Sequence, residues 1–233
     1  MKSQEKYFRL YKDKKIVEIN RERINYEVKR RNVKYARLEF LGRKLILILP
    51  KNHKNEEEII AKKIEWIYEK YKYLSSFIRE DLKNNFFIFG EKKPVEINES
   101  FVKFDGKIMN KKEYTLLLKS LLLNKLNQLT EKYSKELKVK QKRVVIRSQK
   151  TKWASLSSNK TLSFNLKTIS LPEKLMEYLV YHEMLHFFEK KHNLTFITKM
   201  KEKFKDAEEM EKELASYWVS LTENEIWKKL TST

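Results

Sequence analysis

Residues 170–194 read SLPEKLMEYLVYHEMLHFFEKKHNL, and the fold and chemistry of the chain turn on this stretch. Ser170-Leu171-Pro172-Glu173 is a capping-box pattern with proline just inside the helix start, so a helix is expected to begin here. His182-Glu183-Met184-Leu185-His186 then falls near the end of that helix. Side chains four positions apart share one helix face, so both imidazoles can reach a single ion at about 2 Å from each nitrogen. Glu183, one residue past the first histidine, points beside such an ion and could take a proton from an attacking water. A catalytic zinc usually keeps three protein ligands and one open position. His192 is the natural third, provided the helix ends near Lys190 and turns back, because a residue six further along an unbroken helix would point away. Lys190-Lys191-His192-Asn193 suits such an end, with cations at a helix C-terminus and an asparagine that tolerates a left-handed conformation. A carboxylate from a later helix, Glu208, Glu209, Glu211 or Glu213, could fill the same place.

Three of the four histidines in 233 residues lie within this short segment, which incidental core histidines do not explain. The fourth, His53, reads as an exposed loop residue. Cysteine is absent, so thiolate sites and disulfides are excluded and imidazole and carboxylate are the strong ligands available. With 41% hydrophobic and 36% charged residues, the chain can bury a core without a metal staple. No apolar run is long enough to span a bilayer, and Met1 to Lys15 carries no signal-peptide core, so no membrane association and a cytoplasmic location are expected. A net charge of +20 is compatible with a nucleic-acid or nucleotide partner. Lysines interleaved with glutamates, as in Lys201-Glu202-Lys203, fit solvated helix faces instead.

Outward from the motif, residues 22–50 alternate polar and apolar side chains and predict a small antiparallel meander, with Gly42 at a turn and Pro50 at its close. Glu56 to Lys83 has helical spacing and predicts one long helix. Short strands are expected at Phe86–Phe89, Val95–Ile97 and Phe101–Phe104, and a helix capped by Asn110 runs to about Leu137. Arg143–Arg147 and Thr161–Asn165 read as strands. Further helices are expected at Phe196–Lys205, Ala207–Val219 and Glu223–Leu230, the last two introduced by Asp206 and Thr222. Trp66, Trp218 and Trp227 lie on helical faces and are expected in the core, and Trp153 is expected to serve packing. The reading is an α+β chain: a β-rich region over 1–108 with one long helix, and a mostly helical catalytic region over 109–233 with a small sheet.

With these residues in view, the chain resembles the YgjP-like zinc-metallopeptidase family, akin to SprT-like proteases. The resemblance rests on residues 147–155 (RSQKTKWAS), on Ser163-Phe164-Asn165-Leu166, on Pro172, on Tyr178-Leu179-Val180-Tyr181 and on His192-Asn193-Leu194-Thr195-Phe196. Ala154 and Leu156 stand where family members commonly carry glycine and cysteine. The resemblance implies a zincin-like C-terminal part, one zinc per chain on His182, His186 and His192, Glu183 as catalytic base, and a peptide or protein substrate. Arg147, Asn165 and Tyr178 are candidate substrate-binding groups, by anion contact or hydrogen bonding. Two other functions use the same centre: metal-dependent pyrophosphate cleavage of a nucleoside triphosphate, and proteolysis in association with nucleic acid.

Overall fold

The computed structural model describes residues 8–52 and 55–231, which leaves His53 outside the described residues. The chain forms two compact units, residues 1–78 and 79–233.

The first unit holds β1 (Phe8–Tyr11), β2 (Ile16–Ile19), β3 (Glu22–Arg31), β4 (Arg37–Leu41) and β5 (Lys44–Pro50), followed by α1 (Glu56–Lys62) and α2 (Ile64–Ser75). Its sheet runs in the order β1-β2-β3-β5-β4. All neighbours are antiparallel except β3 and β5, which run parallel because the chain skips one place and returns through the β4–β5 hairpin. The sequence of β5 explains its interior position. Leu45, Ile46, Leu47, Ile48 and Leu49 are buried in succession, on both faces, and a strand apolar on both faces belongs inside a sheet. Ile60 and Ile67 cover one face of it.

The single helix expected over 56–83 is instead three helices, the third being α3 (Glu80–Asn84), which opens the second unit. Lys63 leaves helical geometry at φ −119°, and its N–H turns back to Ile60. The Ser76 hydroxyl bonds the Tyr73 carbonyl, a local competitor of helix continuation, and Arg79 is extended. Trp66 is not a core residue: it is 42% exposed and leans on Phe40.

The second unit continues with a hairpin of β6 (Phe86–Ile88) and β7 (Glu91–Lys93), then a meander of β8 (Val95–Ile97), β9 (Val102–Phe104) and β10 (Lys107–Met109). The long helix α4 (Lys111–Leu137) starts with a reciprocal capping box between Asn110 and Glu113, as the sequence requires. Strands β11 (Arg143–Arg147), β12 (Ala154–Leu156) and β13 (Thr161–Asn165) form a sheet with β13, buried along its whole length, in the middle. β11 is parallel and β12 antiparallel to it. β12 is too short to announce itself by alternation.

A 3₁₀ helix over Leu166–Ser170 leads into α5 (Glu173–Leu185), the helix that carries the histidine motif. The capping box expected at Ser170 does not form. Ser170 belongs to the 3₁₀ turn with its hydroxyl buried and unpaired, and Pro172 occupies the cap position, its carbonyl accepting from Leu175 and Met176. α5 is buried on nearly all sides, as suits a helix with apolar residues around its whole girth. Lys125 and Lys132 of α4 clamp it through Glu173 and Glu177. At its start the chain passes Gly90, at φ +81° in the β6–β7 turn. A Cβ there would lie 2.8 Å from the Pro172 Cβ, so glycine is needed both for the conformation and for the fit.

α6 (Leu194–Lys203), α7 (Ala207–Glu223) and α8 (Glu225–Thr231) complete the unit. Thr222 lies inside α7 and bonds back to the Trp218 carbonyl; α8 is capped by buried Asn224, whose carbonyl oxygen accepts from Trp227 N–H. Trp227 is core, and half-buried Trp218 meets Trp153 edge-on at 5.0 Å.

Lys167 sits against the face of Trp218, half-buried and with no carboxylate partner among the described residues. Burial, aided by the positive charge of Lys228, pushes its ammonium down to about 8 from the usual 10.5. The unfolded chain therefore binds this proton more tightly than the folded one. The resulting penalty is complete below about pH 8 and disappears as the pH rises through 10.5. Lys167→Met is expected to raise stability at pH 7 by about 1–2 kcal/mol and to make little difference above pH 10, as read from urea unfolding across that range.

Candidate metal centre

α5 ends at Leu185, five residues before the end expected near Lys190. The chain continues in a tightened turn, with Phe188 and Glu189 N–H groups both returning to the Leu185 carbonyl. Asn193 then fixes the return. It is not left-handed as the sequence suggested; at φ −77° it caps α6, accepting from Phe196 N–H while its amide donates to Glu189. This brings exposed His192 over the helix face. Its Nε2 lies 3.0 Å from His182 Nε2 and 3.2 Å from His186 Nε2.

Three imidazole nitrogens so placed share one focus, and the donor set suits a divalent cation held by neutral imidazoles. The tautomer of His186 is set from behind. Its Nδ1 is 2.7 Å from the Glu189 carbonyl, so Nδ1–H donates there and leaves the Nε2 lone pair for the focus. Burial first, and then the neighbouring His186 and His192, push the His182 imidazolium down to about 3, which keeps this ring in its ligating form. Phe196 closes one side, its ring 4.8–4.9 Å from all three imidazoles and stacked on that of His186.

Glu183 is buried beside the triad. Burial pushes its carboxyl up to about 7, against the pull of the Leu156 N–H and the charge of Lys152. The strand register explains the Leu156 contact. Trp153 carbonyl and Ser157 N–H face β13, bonding Asn165 N–H and the Thr161 carbonyl, so the backbone groups of Ala154 and Leu156 point to the opposite, outer edge of β12. Ala154 has no left-handed backbone that would require glycine, and Leu156 meets Glu183 through its main chain, whatever its side chain.

The three candidate substrate groups have different fates. Asn165 is consumed by structure: its amide donates to the Gln149 and Lys152 carbonyls and accepts from Lys167 N–H, tying the 149–152 loop to the end of β13. Arg147 stands exposed at the end of β11 and is not among the residues lining the cavity beside the triad. Tyr178 does line that cavity, which measures about 620 Å³ and includes His182 and His192 in its wall. Its buried hydroxyl donates to Glu211 at 2.9 Å. Of the alternative carboxylates, Glu208 and Glu211 reach the cavity wall, but the triad consists of histidines alone.

Sequence reasoning missed Phe196, the Leu156 N–H and the Glu189 carbonyl. Phe196, one helical turn beyond His192, could have been found by spacing. The backbone groups leave no mark on a sequence.

An H-E-x-x-H helix end closed by a third histidine, with a buried glutamate at the edge of a small sheet, defines a metallohydrolase of the peptidase type. The chain belongs to the YgjP-like family: residues 34–217 match its metallopeptidase domain. Among solved structures it is similar to the metallopeptidase zymogen of Methanocaldococcus jannaschii jannalysin, at 25% identity over 39% of this chain and 87% of that one, with a TM-score of 0.36. It is also similar to the zymogen of Pyrococcus abyssi abylysin, at 24% identity over 38% and 90% of the respective chains, again at 0.36. No curated protein matches. No helix among the described residues is long and apolar enough to cross a membrane.

Proposed function

We propose that the chain is a zinc peptidase that holds one metal ion on His182, His186 and His192 and uses Glu183 as its base. The convergence of the three Nε2 atoms carries this reading. Zinc, when bound, polarises the scissile carbonyl and lowers the pKa of water toward about 7. The side chains do the rest. Glu183, oriented by the Leu156 N–H, takes a proton from the attacking water and delivers it to the leaving amine. The Glu189 carbonyl keeps the His186 ring facing the focus. The outer edge of β12, pairing with no strand among the described residues, offers the Ala154 main chain and the Leu156 carbonyl to an extended peptide, while the Leu156 N–H serves Glu183, a mode of binding that supplies register without side-chain specificity. All of these groups belong to the catalytic region at 109–233, and a cytoplasmic setting completes the reading.

Zinc-loaded protein is expected to contain about one ion per chain and to cleave casein or a mixed peptide library, with activity lost to a chelator and restored by zinc. Release of pyrophosphate from nucleoside triphosphates without peptide cleavage would assign the centre to phosphorus instead. Loaded protein that cleaves neither would end the enzymatic reading.

A further inference from the structure

The cavity beside the triad has a composition at odds with the molecule around it. The chain carries a net charge of +20, yet the charged groups in the cavity wall are Glu208, Glu211 and Lys201. Lys201 is committed to Glu208 at 2.6 Å. Glu211 forms no ion pair with lysine or arginine among the described residues; its one polar contact is the Tyr178 hydroxyl, which bonds a single carboxylate oxygen and leaves the other open. Lys201 and His192 lie within reach of its charge but neither bonds it, so in a chain with 52 lysines and arginines this cavity-wall carboxylate keeps one oxygen without a direct cation partner among the described residues. The cavity wall also has an apolar part, formed by Phe196, Ile197, Met200 and Ala207.

We infer that this cavity is the specificity pocket of the enzyme and takes a cationic group of the substrate, its aliphatic stem on Phe196 and Met200 and its charge on Glu211. Lysine and arginine side chains have this make-up, an apolar stem and a charged tip. A peptide's free amino terminus offers the same charge on a shorter reach. Because His182 and His192 belong to the same wall, the occupant neighbours the bond being cut. Tyr178 acts here as a positioning residue, aiming the carboxylate through its hydroxyl. The inference rests on the peptidase reading for its consequence, but the pocket can be probed without turnover.

The test compares peptides carrying lysine, arginine, norleucine or glutamate at each position flanking the cut, with free or acetylated amino termini, using zinc-loaded wild type and Glu211→Gln. Lysine and norleucine differ chiefly in the charge. A preference of about tenfold in kcat/KM for the cationic peptide, expressed mainly in KM and collapsing toward one in Glu211→Gln, is expected. Glu211→Lys should turn the preference toward glutamate. Preference that follows internal lysine or arginine identifies a side chain as the occupant, and preference lost on acetylation identifies the terminus. Equal cleavage of lysine and norleucine peptides, or a preference that survives Glu211→Gln, overturns the inference while leaving the peptidase reading intact. If no peptide is cleaved, that reading fails, and calorimetric binding of Nα-acetyl-lysine methylamide against its norleucine counterpart still decides the pocket. Tighter binding of the lysine probe, abolished in Glu211→Gln, supports it, and equal binding overturns it.

Discussion

Glu183→Gln is expected to lower peptide cleavage by about a thousandfold while leaving the zinc content at one ion per chain. Glutamine keeps the shape of the side chain and an oxygen to accept from the Leu156 N–H, so the β12 edge and α5 stay where they are. What it cannot do is receive a proton. The buried position makes the contrast sharp, because a carboxylate held out of water beside the focus can take up a proton there, and an amide in the same place cannot. Steady-state kinetics beside elemental analysis reads both quantities. Retention of more than a tenth of wild-type activity would remove Glu183 from the reaction, and loss of zinc together with activity would make it a structural residue instead.

His192→Ala is expected to weaken zinc binding by at least about a hundredfold, with almost no change in the stability of the metal-free protein. The two halves of this expectation come from different observations. His192 supplies a donor atom to the focus, but it is exposed on the return between α5 and α6, and exposed substitutions seldom shift stability by more than about 0.5 kcal/mol. His182 offers no such separation, since its ring is half-buried and also faces Tyr178. Competition with a chelating dye measures the affinity, and thermal unfolding of the metal-free forms measures the rest. Unaltered zinc affinity in His192→Ala would move the third ligand elsewhere, with Glu208 and Glu211 of the cavity wall as candidates.

The triad was legible because its information is one-dimensional. A spacing of four on a helix fixes two rings on one face, and a polar segment after the helix makes a return toward that face feasible. Elements marked by a cap or by sustained periodicity were legible for the same reason, Asn110 and α4 being the clearest case. The failures also have a common cause. The break at Lys63, the extended Arg79 and the missing cap at Ser170 are decided by what surrounds each residue, and residues 56–83 keep helical spacing straight through two interruptions. Sheet order escaped for a related reason. Alternation shows which residues of β3, β4 and β5 face inward, whereas only the unbroken apolar run of β5 hinted that it would lie between the other two. In the site, Tyr178 and Asn165 looked equivalent as polar residues near the motif. Their partners separate them, a carboxylate on a cavity wall in one case and three backbone groups in the other.

The contact between Gly90 and Pro172 sets the axial register of the helix that carries His182. No side chain fits between the hairpin turn and the first turn of α5, so the helix cannot slide toward its own N-terminus without pushing the hairpin aside. Both helical imidazoles ride on that helix, whereas the third is anchored separately through Asn193 and α6. The alignment of the three rings thus depends on a hairpin about 90 residues upstream that contributes no atom to the centre, and drift in that turn would be felt first as a mismatch between two rings and the third.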